Sequence, residues 1–187
     1  MLLTPHEVID LAIMALAVGF IFSGMIPRKE ELYYGIRVKS LDLSHLLYSA
    51  AIAAPAIILH ELGHKFVAIA LGLSATFHAA YEWLAIGVFL KLINFGLLFF
   101  VPAYVEISGA QTPLMSSLTA FAGPAVNLLL FIGSWYALKD RKLAKKYGIP
   151  LHFTKEINKF LFIFNMLPIP FFDGFTVYSG LFHALRG

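Results

Sequence analysis

Residues 114–138, LMSSLTAFAGPAVNLLLFIGSWYAL, contain no charged side chain. As an α-helix this stretch would extend roughly 37 Å, more than the ~30 Å hydrocarbon core of a bilayer. Three further apolar segments are long enough to span, at about 8–26, 44–72 and 157–185. A fifth, about 84–101, is interrupted by Lys91 and Asn94 and fits either a span or a re-entrant excursion. With 59% hydrophobic and 13% charged residues and a mean hydropathy of +0.79, the chain carries more apolar sequence than a soluble domain of its size. Lipid leaves no water to satisfy backbone groups, so the segments must pair their own. The expected fold class is an all-α polytopic membrane protein with about four to five membrane-embedded helices.

The charged residues lie mainly between these segments. PRKEELYYGIRVKSLD links the first two, and KDRKLAKKYGIPLHFTKE links the last two, with Gly148 and Pro150 as breakers. A net charge of +3 distributed in this way is loop charge, not a nucleic-acid footprint. With no cysteine in the chain, disulfides and cysteine–zinc sites are excluded. The N-terminal apolar run lacks a basic leader and a small-residue cleavage site, and reads as a retained helix. There is no internal repeat. Residues 1–187 read as one domain, with a first helix and basic loop (1–43) and a catalytic core (44–187).

Within the second segment stands His60-Glu61-Leu62-Gly63-His64. Histidines four apart share one face of a helix. Glu61 points roughly 100° around from His60, beside a metal rather than onto it. This is the His-Glu-x-x-His arrangement: two zinc ligands, and a glutamate that deprotonates a zinc-bound water. The alternative, two satisfied histidines and a capping glutamate, requires partners for three costly groups in an apolar helix. A catalytic zinc needs a third protein ligand. Glu7, Asp10, Glu82, Glu106 and Asp173 are the carboxylates available, and Asp173, deep in the last apolar segment, is the expected third ligand. Pro168 and Pro170 interrupt the helix before it, and Gly174 permits close approach. Asp173 also suits a helix start.

The fourth segment contributes Asn127, a lone amide in an apolar run, read either as helix packing or as a hydrogen bond to substrate backbone or oxyanion. AYVEI, residues 103–107, follows Pro102 and precedes Ser-Gly. It reads as a short re-entrant β segment beside the active site, with an edge open to a peptide. His78 and Glu82, four apart, are read as the mouth of the site or a solvated turn. His6, His45, His152 and His183 read as interfacial or packing residues, and Tyr33, Tyr34, Tyr81 and Trp83 suit an interface belt.

Taken in order, His60-Glu61-Leu62-Gly63-His64, Gly123-Pro124-x-x-Asn127 and Asn165-x-x-Pro168-x-x-x-x-Asp173-Gly174 resemble the signature set of the site-2 protease family of intramembrane zinc metalloproteases. The resemblance covers roughly residues 44–187. It implies one Zn²⁺ held by His60, His64 and Asp173, with Glu61 as catalytic base. It implies that Asn127 and Asn165 help bind substrate. It also implies that FFVPAYVEI, through Tyr104, Val105, Glu106 and Ile107, pairs with an extended substrate. Phe172 stands where the family usually has leucine, and no PDZ-like or CBS-like domain is seen.

The expected activity is hydrolysis of a peptide bond within or near transmembrane segments of a membrane-protein substrate. The expected location is multi-pass in a membrane, the cell membrane by preference, with the lipid bilayer and the transmembrane substrate as partners and no nucleic acid. A metal or proton transporter would predict more polar lining or inverted repeats, and a silent scaffold would predict a missing glutamate or aspartate. For the three motifs to meet at one depth, the third segment must dip in and return. The basic loops at 27–43 and 139–159 then share the side opposite the catalytic end. The positive-inside rule makes that side cytoplasmic, whereas the resemblance implies that the catalytic end itself opens to the cytoplasm.

Overall fold

The computed structural model describes residues 3–27, 42–95 and 102–186. Arg28, Lys29, Arg37 and Lys39 of the basic loop, Tyr33 and Tyr34, and the FFV of FFVPAYVEI lie outside the described residues.

Helix α1, Pro5–Phe22, opens on a reciprocal cap. Thr4 Oγ1 accepts from Glu7 N at 3.3 Å and the Glu7 carboxylate accepts from Thr4 N at 2.8 Å, with Pro5 at the first helical position. Helix α2, Leu43–Ala70, starts on Asp42, which accepts from Ser44 N at 3.1 Å, and runs through Pro55. It is the central element, packed against α1 on one side and the later helices on the other.

After α2 the chain forms strand β1, Ser74–Ala79, then helix α3, Tyr81–Leu92, then strand β2, Ala103–Ser108. The strands pair antiparallel, with Ala79 opposite Ala103 and Ser74 opposite Ser108. The chain therefore leaves the ribbon after Ala79 and re-enters it at Ala103 at the same end. At 1.5 Å per residue α3 reaches about 18 Å, too short for a span. β2 falls where the sequence places a strand, whereas β1 is an additional one.

Helix α4, Pro113–Ala137, is capped by Thr112, whose hydroxyl accepts from Met115 N at 3.2 Å. The stretch expected to link the last two segments as a broken loop is instead helix α5, Arg141–Asn165. Asp140 caps it, accepting from Lys142 N at 2.8 Å and Leu143 N at 3.0 Å. Pro150 lacks an N–H and crowds the carbonyl four residues back. The helix accommodates this with a kink at Tyr147 (φ −127°, ψ 22°) rather than by ending. The fifth apolar segment, expected as one span at 157–185, is divided: Pro168 and Pro170 separate the end of α5 from helix α6, Asp173–Arg186.

Met14 and Val18 of α1, Ala53 and Ile57 of α2, and Phe77 of β1 form the core of the first half of the molecule. The outer surfaces are apolar, as at Leu47, Leu129 and Trp135, while Glu7, Asp10, His60, Glu61, His64, Lys65, Asn127 and Asn158 are buried. This is the distribution expected where lipid, not water, is the solvent. Among the described residues three helices, α1, α2 and α4, are long and apolar enough to cross a membrane.

Candidate metal centre

On α2 the His60 and His64 rings lie with centroids 4.7 Å apart and their Nε2 atoms 3.1 Å apart. The break at Pro168 and Pro170 turns the chain so that α6 begins at Asp173 with its carboxylate against both rings. Asp173 Oδ2 is 3.2 Å from His60 Nε2, and Oδ1 is 3.5 Å from His64 Nε2. Among the described residues these three form the one cluster of histidine and carboxylate groups able to converge on an ion.

The hydrogen bonds behind the rings determine which ring nitrogens carry protons. His64 Nδ1 lies 2.8 Å from the Thr119 carbonyl, which only accepts, so Nδ1 donates. For His60 the logic takes two steps. Asn158 Nδ2 donates to the Thr154 carbonyl at 2.7 Å, which turns Asn158 Oδ1 toward Asn127. Asn127 Nδ2 then donates to Asn158 Oδ1 at 2.8 Å and to the Ala56 carbonyl at 2.9 Å. That leaves Asn127 Oδ1 facing His60 Nδ1 at 2.6 Å, so His60 Nδ1 also donates. In the neutral rings both Nε2 lone pairs consequently point at one another and at a carboxylate. Two lone pairs and an anion then converge with no donor among them, an arrangement that a shared proton or a metal cation would satisfy.

The spacing suits zinc. Ligand atoms at ~2.0–2.1 Å in a tetrahedron are separated by about 3.3 Å. Here the two Nε2 atoms are 3.1 Å apart, and one Asp173 oxygen lies 3.2 Å from His60 Nε2 while the other lies 3.5 Å from His64 Nε2, separations of that order. Two glycines make this packing possible. A Cβ on Gly123 of α4 would lie 2.6 Å from His64 Cε1 and 2.8 Å from His60 Cε1, and one on Gly63 would lie 2.9 Å from the Ala122 carbonyl oxygen. Only glycine lets α2 and α4 meet at this depth.

Glu61, also buried, lines the same cleft as the three converging side chains. The cleft has a volume of about 2200 Å³ and reaches Asn165, Val105 and Ile107. Asn127 lies behind the His60 ring, with no exposed surface and every side-chain group paired within the protein. It does not face the cleft in the manner expected of a substrate-binding residue. Its position is that of a support for a metal-ligating imidazole.

The strand residues divide by parity. Phe77 N and Ala79 N donate outward, to the Glu7 and Asp10 carboxylates at 2.7 and 3.1 Å. Their partners across the ribbon, Val105 and Ala103, therefore occupy non-hydrogen-bonded pairs, and their own N–H and C=O groups point away from β1. Ile107 shares that parity. The backbone groups of Tyr104 and Glu106 face β1. Their side chains lie on the outer face, where His78 Nε2 is 3.4 Å from Glu106 Oε2 and stacks near Tyr104. His78 therefore pairs with Glu106, not with Glu82, because Ala80 separates the strand from α3. Within Tyr104–Ile107, the backbone groups directed away from β1 belong to Val105 and Ile107, while Tyr104 also lines the cleft.

Sequence reasoning missed Asn158 and Lys65. Asn158 sits where the basic loop read at 139–159 overlaps the start of the apolar segment read at 157–185. Lys65 follows His64 directly, and only its burial inside an apolar run marks it as unusual.

A helical, membrane-type chain with a buried His-Glu-x-x-His helix and a third carboxylate at the same point defines a metal-dependent class of protein. Over 175 residues, 91% of its length, the chain is 37% identical to a Methanocaldococcus jannaschii protein named "Putative zinc metalloprotease", of which the match covers 82%. The chain belongs to the family of that protein. No family model and no solved structure matches it.

Proposed function

We propose that the chain is an intramembrane zinc endopeptidase of the site-2 protease type, which cleaves a membrane protein within or near a transmembrane segment. The observation that carries this reading is the meeting of His60 Nε2, His64 Nε2 and Asp173, beside buried Glu61, in a cleft that also reaches a strand edge with no backbone partner among the described residues. The archaeal relative's name supports zinc and peptide hydrolysis. The three long apolar helices support a multi-pass location in a membrane, with the cell membrane as its seat.

His60, His64 and Asp173 would hold one Zn²⁺ per chain. When bound there, the metal supplies a Lewis acid that polarises the scissile carbonyl and acidifies water. Glu61 takes a proton from the attacking water onto its carboxylate and delivers it to the departing amine nitrogen. A transmembrane helix shields its own amides in i to i−4 hydrogen bonds, so the substrate must be extended where it is cut. The outward groups of Val105 and Ile107 offer an extended peptide a strand partner, as in β-augmentation. The exposed Tyr104 and Glu106 side chains flank it, and Asn165 meets it at the α5 end of the cleft.

The test is Glu61→Gln in purified protein, assayed on a transmembrane peptide with zinc content measured in parallel. Zinc should be retained, with cleavage reduced by about 10²- to 10⁴-fold. Cleavage at the wild-type rate would overturn the assignment of the base.

A further inference from the structure

Glu7 and Asp10 are both 1% exposed and carry charge in an apolar helix, where such groups are costly unless used. Neither touches the metal cluster. They lie three residues apart, on one face of α1, and that face meets the outer edge of β1. Glu7 Oε1 accepts from Phe77 N at 2.7 Å and Asp10 Oδ2 from Ala79 N at 3.1 Å. Those two amides are the ones β1 would offer to a third strand. The second oxygen of each carboxylate is also engaged: Glu7 Oε2 accepts from Thr4 N at 2.8 Å, and Asp10 Oδ1 from the Tyr81 hydroxyl at 2.5 Å, with His6 Nδ1 at 3.5 Å. Glu7 Oε1 also accepts from Lys65 Nζ. Lys65 is itself 1% exposed and is the residue after His64 on α2. A continuous chain of buried contacts thus runs from the His64 helix through Lys65 and Glu7 to β1, and from β1 across the ribbon to β2.

We infer that Glu7 and Asp10 are positioning residues that stand in for a third strand, close the β1 edge, and clamp the ribbon to the metal-bearing helix. In doing so they set which peptide bond of an added substrate strand lies at the metal. This rests on the reading of β2 as the substrate-binding edge. The two carboxylates supply acceptors at alternate residues of β1, so they fix the ribbon in the direction along its strands. A peptide paired to Val105 and Ile107 inherits that register. Without the clamp the ribbon is no longer fixed against α1. A peptide paired to a ribbon that is no longer held can then slip against β2, and a slip of two residues keeps every peptide side chain on its own face, whereas a slip of one does not. Loss of the clamp should therefore move cleavage in steps of two.

The experiment uses the full chain in detergent or bicelles and one transmembrane peptide, with products sized by mass spectrometry. Asp10→Leu removes the acceptors for Ala79 and Tyr81. Glu7→Leu with Lys65→Met removes the other contact without leaving a buried charge unpaired, and gives the same readout should Asp10→Leu fail to fold. The expected result is wild-type zinc content and helicity, a KM raised at least about 10-fold, and new products cut two residues from the original site. Asp10→Asn, whose oxygen still reaches Ala79 N and whose NH₂ can donate to Tyr81, should restore a single cut. A single wild-type cleavage position and unchanged KM in both disrupting variants would overturn the inference. Wild-type enzyme with peptides N-methylated one residue at a time separates the two levels. Alternating inhibition with unaltered Glu7 and Asp10 variants rejects the clamp and keeps the edge. Inhibition without alternation rejects the edge and the clamp with it.

Discussion

Replacing Asn127 with leucine isolates what the amide behind His60 contributes. Leucine has the same branching and heavy-atom count but no acceptor, so His60 Nδ1–H loses its 2.6 Å partner. Water cannot take that place, because Asn127 has no exposed surface. A buried donor left unpaired costs about 1–3 kcal/mol. The ring then gains by turning or by changing tautomer, and either change removes Nε2 from the ligand set. At about 1.4 kcal/mol per decade, that cost corresponds to about 5- to 150-fold in affinity, which brackets the 10- to 100-fold usual for such supporting partners. Asn158→Leu acts one step further back. It removes the acceptor that orients the Asn127 amide but leaves the Ala56 carbonyl in place, so its effect should be smaller, about 2- to 10-fold. The assay is zinc affinity by competition with a chromophoric chelator, with the cobalt-substituted protein followed by its visible absorption. The order wild type, Asn158→Leu, Asn127→Leu should hold for affinity. Asn127→Leu binding zinc within two-fold of wild type would refute the tautomer argument.

Asp173→Ala should reduce zinc occupancy at a fixed chelator concentration to a few percent of wild type, since two imidazoles alone make a weak site, and unchanged occupancy would remove Asp173 from the ligand set. Gly123→Ala should release zinc and lower the unfolding temperature, because its Cβ meets both ligand rings. Gly133→Ala on the same helix has open space around it and should leave zinc unchanged while stabilising by up to about 1 kcal/mol. Val105→Pro removes an edge donor that β1 does not use and should raise KM with zinc content intact, whereas Glu106→Pro removes a donor directed at β1 and should disrupt the ribbon. Equal effects of the two prolines, measured by KM and circular dichroism, would contradict the assigned strand parity.

What sequence could reveal here follows the range of the interactions. His60 and His64 are legible because a helix puts i and i+4 on one face, and Asp173 because a lone carboxylate deep in an apolar segment has few uses. β2 announces itself through Pro102 and a β-branched, aromatic run. β1 does not: SATFHA has no clear alternation, and its outward amides are satisfied by residues 69 and 70 positions earlier. The helix of residues 141–165 was hidden by Gly148 and Pro150, which break helices locally but here produce only a kink. With that helix unread, Asn158 had no face, and Asn127 could not be assigned to the ring rather than to the cleft. Lys65 was visible as an oddity, but its meaning depends on Glu7, 58 residues away. The candidate ligands can therefore be read from local sequence, while the groups that orient them are joined through pairings of long sequence separation. Substitutions in α1 and α5 should alter metal affinity and cleavage register although neither helix supplies a metal ligand.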